Sequence, residues 1–199
     1  MPLLTVPEGM EEISPAWMSA ALAAHHPGAV VDAVTVAHRD DGTNRRARLA
    51  LSYASGSGPE TVFVKAADPA HKDLIRMTSG MFHEPRLFSS GVDLPLEHPL
   101  VYTALTDEEA YDFCLVMEDI AARGADPRDS LRPLSVDEAA TGMRALGRLH
   151  GAYWGQRVRA HPAWAGWNPS SPSTACSTHR CPPRWSGWIP RTPRPRCCR

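Results

Sequence analysis

The chain has 199 residues, 43% of them hydrophobic, with a formal net charge of -1 and five cysteines. That apolar share is enough to bury a core, which argues against a wholly disordered polypeptide, and no apolar run approaches the length that spans a bilayer. The small net charge hides a split: residues 168–199 hold six of the 21 basic residues and none of the 22 acidic ones, so an acidic body precedes a basic tail.

The opening MPLLTVPEGMEE has neither a basic nor an apolar leader character, and the expected location is the cytoplasm. Ser14 and Pro15 before AWMSAALAA are a helix start, with Ser14 as N-cap and Pro15 at the first helical position. His26, Pro27 and Gly28 stop that helix. VVDAVTVAHR and RARLALSYA then alternate in polarity around the turn-rich DDGTN, the signature of a hairpin. TVFVKAA supplies a third strand.

Residues 70–90 mix helical and turn signals. Pro85 follows Glu84 directly, and a proline deep in a helix costs about 3 kcal/mol, so Glu84 is expected in a first turn. PLVYTAL and YDFCLVM form a second hairpin across the acidic TDEEAYD. Cys114, inside its apolar second strand, reads as an inert core thiol. Ser135 and Glu138 make a capping box, and Val136, Ala139, Met143, Leu146, Leu149 and Tyr153 keep helical spacing on one face. From Asn168 no periodicity survives, and the tail is expected to be disordered.

Some of these residues invite chemistry. An ammonium at Lys65, among Val62, Phe63, Val64 and Ala66, needs a partner if buried. The chain has only two lysines, so a compact point charge here stands out. Phosphate oxygens would satisfy it; a stem lying along apolar surface with its head in water is the alternative. Gly42, Thr43 and Asn44 sit in the first hairpin loop, which has one glycine beside two aspartates. Alone it is a poor anion cradle, and an ordinary turn explains it.

The order of the pieces carries more than any single one. Lys65 in VFVKAA, Glu84 in FHEPRLF, Glu118 and Asp119 in LVMEDI and the helix MRALGRLHGAYWG together resemble the phosphotransferase enzyme family, which includes aminoglycoside phosphotransferases and ecdysteroid-kinase-like and choline-kinase-like proteins. The likeness covers roughly residues 12–165. It implies an α+β, protein-kinase-like amino-terminal lobe over residues 1–119, with a five-stranded antiparallel sheet. Residues 120–167 would be the linker and first helix of a truncated helical carboxy-terminal lobe, and 168–199 the disordered tail.

The resemblance implies ATP as phosphoryl donor, Mg2+ to neutralise charge and a small-molecule hydroxyl as acceptor. Glu84 would pair with Lys65 and hold it toward the phosphates. Gly42, Thr43 and Asn44 would occupy the phosphate-covering loop, and the backbone of Met117, Glu118, Asp119 and Ile120 would hold adenine. The family's catalytic loop reads His-Gly-Asp and then Asn. Here His150 and Gly151 precede Ala152 within a strong helical pattern, so a helix-end histidine is expected instead.

After Glu138 the chain has no Asp or Glu, so neither a catalytic base nor a metal ligand is assigned. The expected function is a small-molecule kinase that lacks its catalytic loop. The alternative is a non-catalytic nucleotide-binding pseudoenzyme, or an interaction module with a basic tail. The tail's six arginines, with Trp185 and Trp188, invite a nucleic-acid reading, but short Arg-Pro-Ser tracts are commonly just solvated. Cys176, His179, Cys181, Cys197 and Cys198 lack the compact pairing of a zinc site. Translation of a GC-rich gene in a shifted frame gives the same mixture. No membrane or nucleic-acid partner is expected, and oligomeric state has no signal.

Overall fold

The computed structural model describes residues 4–40, 42–78, 82–128 and 131–154. The expectations for the tail, its tryptophans and its cysteines lie outside the described residues. Within them the elements run α1 (Pro15–Leu22), β1 (Val30–Arg39), β2 (Asn44–Ser55), β3 (Thr61–Ala67), α2 (Lys72–Thr78), α3 (His83–Ser89), β4 (Val101–Asp107), β5 (Asp112–Glu118) and α4 (Val136–Ala152). One five-stranded antiparallel sheet, in the order β1-β2-β3-β5-β4, makes this an α+β fold.

Local chemistry sets the boundaries. Ser14 Oγ accepts from the Trp17 N–H and Pro15 takes the first position of α1. Pro85 lies in the first turn of α3, where no intrahelical partner for its nitrogen is required. The turn from β4 to β5 needs a left-handed residue, and Tyr111 takes φ 53°. Its ring is held edge-on to Phe82 at 5.0 Å, which fixes the turn against the start of α3.

Strand alternation divides the sheet into two faces. Leu49, Val62, Val64, Cys114 and Val116 point to one side, where Met18 and Leu22 of α1 close over them. Each fully buried aliphatic side chain there contributes about 1.5–3 kcal/mol of transfer free energy. Burial also pushes the Cys114 thiol up to about 12, which keeps it protonated and unreactive. Phe113, Leu115 and Met117 point to the other side and pack under Phe82. That second face is only partly covered, because α3 reaches one region of it.

The capping box at α4 is complete: Ser135 Oγ accepts from the Glu138 N–H while Glu138 Oε2 accepts from the Ser135 N–H at 2.7 Å. His150 is in the last turn, as the helical pattern predicts. The apolar stripe of α4, however, is uncovered from Val136 to Leu146, while Leu149 and Tyr153 are partly buried. Val136 is 86% exposed and Met143 66%, and Leu131 and Leu134 ahead of the helix are exposed too. Periodicity predicted the helix correctly but says nothing of what, if anything, packs on its face.

Candidate functional site

Lys65 faces the partly covered side of the sheet. Register puts Arg46 of β2 and Leu115 of β5 directly opposite it, and Arg48 and Met117 opposite Phe63. Side chains directly opposite in an antiparallel ladder share a face. One surface therefore carries Arg46, Arg48, Phe63 and Lys65 in a compact block. Alternation alone could have found Phe63, two residues before Lys65; the arginines needed the register.

The first turn of α3 delivers Glu84 to this surface, and its Oε2 forms an ion pair with Lys65 Nζ. The side chains are 23% and 40% exposed, so the pair is screened and contributes about 1 kcal/mol or less to stability. It orients the ammonium without burying it. A bound anion can therefore reach Lys65 from solvent.

Gly42, Thr43 and Asn44 lie in the β1–β2 turn at the end of the sheet beyond Lys65, where Asn44 pairs with Ala67. The Gly42 N–H donates to the Asn44 carbonyl at 3.0 Å. Arg46 pairs with the Asp40 carboxylate at 3.0 Å, which removes part of the negative charge that weakened this loop as an anion site.

The linker residues sit at the opposite end of β3, with Glu118 level with Val62. Three residues separate that level from Lys65, or about 10 Å along a strand. Met117 is the buried end of β5. Glu118 Oε1 lies 2.9 Å from Arg123 Nε, and its Oε2 accepts from the Leu100 N–H. Together these tie the end of β5 to the strands and turn around it. A short turn over Ile120–Arg123 follows, closed by Gly124 at φ 84°. In it the carbonyls of Asp119, Ile120 and Ala121 accept from Ala122, Ala125 and Gly124.

The Asp119 side chain does more than its place in a linker suggests. It is 5% exposed, the one buried charged residue among those described. Its Oδ1 caps the turn by accepting from Ala121 N–H, and its Oδ2 accepts from Thr61 Oγ1 at 2.9 Å. Arg48 Nε lies 2.7 Å from the same Oδ2. That contact is an ion pair rather than a directed hydrogen bond, since the buried Nε has no hydrogen-bonding acceptor. Arg48 thus spans from β2 across β3 to the end of β5.

Magnesium does not fit the carboxylates of this surface. Glu84 is committed to Lys65, Asp119 to Arg48 and Thr61, and Asp40 to Arg46. Among the described residues no three His, Cys, Asp or Glu side chains converge. No helix among them is long and apolar enough to cross a membrane. No family model matches the chain, and neither does any curated protein or solved structure.

Proposed function

We propose that the sheet and its helices form a nucleotide-binding lobe of the small-molecule phosphotransferase type, able to hold a nucleotide and unable to transfer its phosphoryl group. The Lys65–Glu84 ion pair on the partly covered sheet face carries this reading. A lysine fixed by a glutamate is a point charge aimed at the phosphates of a bound nucleotide, and Phe63 beside it is a flat apolar surface for a base. The hairpin loop lies at the phosphate end and the linker at the base end of the same strand. ATP is the ligand that the resemblance implies.

Transfer needs more than this. The acceptor hydroxyl must lose a proton to a positioned base, and the phosphates must have their charge neutralised. The local carboxylates are engaged, and residues 139–199 contain none. The reading is therefore of a binding protein with kinase-like architecture. An interaction module is the second reading, favoured by the exposed stripe of α4.

Titration of the full chain with a fluorescent ATP analogue tests the proposal. Saturable binding is expected, and Lys65→Ala should abolish it. With ATP carrying a labelled γ-phosphate, no transfer to aminoglycosides, choline or other hydroxyl acceptors is expected. Binding indifferent to Lys65 would overturn the nucleotide assignment. Turnover that depends on Lys65 would overturn the claim that a base is lacking.

A further inference from the structure

Arg48 is the cation on this surface that the reading above leaves without a role. Its Nε is buried against the Asp119 carboxylate at 2.7 Å, its side chain is 36% exposed, and beyond Asp119 its guanidinium meets no partner among the described residues. The terminal nitrogens, on the side away from Asp119, are the ones left for a ligand. Asp119 holds the guanidinium by its inner edge while Thr61 and the Ala121 N–H hold Asp119 in turn. The fork is thereby fixed in place, directly beside Phe63 and next to the linker end of the face.

Resting on the nucleotide reading, we propose that this face selects a guanine base, with Arg48 as the specificity-determining residue and Asp119 as its positioning residue. A guanidinium has five donors and no acceptor. The outer edge of guanine offers two acceptors, O6 and N7, which a fork satisfies bidentately. The same edge of adenine offers one acceptor and one amino donor. Adenine would therefore leave a guanidinium donor unpaired and turn an amino group toward a cation. Losing one bidentate contact of this kind costs about 1–3 kcal/mol of discrimination. Lys65, level with Arg46 and two residues further along the strand, takes the phosphates in either case.

Competition between GTP and ATP for one fluorescent nucleotide on the full chain tests the proposal. GTP is expected to bind roughly tenfold or more tightly, the discrimination of one bidentate contact. Arg48→Met, which keeps the apolar stem, should bring the two affinities within about twofold of each other, the bidentate contact being gone. Lys65→Ala should abolish binding of both nucleotides, unlike the Arg48 variants. If Arg48→Met melts early, Arg48→Lys keeps the charge, loses the fork and should also lose the preference. Equal affinities, an ATP preference, or a guanine preference that survives both Arg48 variants would overturn the proposal and leave the nucleotide site standing. Failure of both nucleotides to bind would overturn the site itself, and the base assignment with it.

Discussion

Neighbouring residues of the same strands serve opposite ends on the two faces of the sheet. Val62 and Val64 point into a dry core against Leu49, Val116 and α1, whereas Phe63 and Lys65 between them point to a surface shared with Arg46, Arg48 and Glu84. The first face buries aliphatic side chains and gains its stability from area removed from water. The second leaves its cations partly exposed and gives them carboxylate partners, an arrangement that adds little stability. Both faces bury an apolar cluster, and the second also carries this block of cations.

The largest effects should come from damage to the first face. Leu49→Ala is expected to lower stability by about 2–5 kcal/mol, the usual cost of emptying a core leucine site. Val64→Asp, which buries an unpartnered carboxylate, should prevent folding altogether. Denaturant melts followed by circular dichroism measure both. Nucleotide binding should survive Leu49→Ala wherever the chain stays folded, since the substitution lies on the far side of the sheet.

Asp119→Ala tests the seam between the faces. It removes the acceptor for Thr61 and the Ala121 N–H and leaves Arg48 Nε buried without its counter-charge, so a loss of about 1–3 kcal/mol is expected. A thermal melt reads this. Asp119→Asn should recover part of the loss, because an amide oxygen can still accept from Thr61.

The helix α4 offers the smallest effects and a contrast of its own. Ser135→Ala removes an N-cap and should cost about 1 kcal/mol of helix stability, seen as lost helicity. Hydrogen bonds from the Ser135 backbone and side chain hold the Glu138 carboxyl below its ordinary range, with Arg128 adding to the effect. A depressed folded-state value means that the cap's stabilisation is present above the ordinary glutamate range and is lost as pH falls through the folded value. Far-ultraviolet ellipticity between neutral pH and pH 3 should show this loss, and Glu138→Gln should flatten it. Met143→Gln, on the uncovered stripe, should change stability by less than about 0.5 kcal/mol.

How much of this was legible follows from how far each feature reaches along the chain. The strands, caps and hairpins depend on neighbours, and Ser14, Ser135 and the alternation around Lys65 disclosed them. Glu84 was approachable because Pro85 fixes it in a first turn. The Arg48–Asp119 link joins residues 71 apart, and only the register of three strands brings them together. The exposure of α4 was not legible at all, since an apolar stripe has the same spacing covered or bare.

The division between the faces is tested most directly by Lys65→Met, with melting temperature and nucleotide affinity measured on the same sample. The ion pair with Glu84 is partly exposed, so the melt should move by only a few degrees, as expected for a loss of about 1 kcal/mol or less. Nucleotide binding should vanish. A variant that melts far below the parent while still binding nucleotide as tightly would show that Lys65 belongs to the stability of the fold and not to a site.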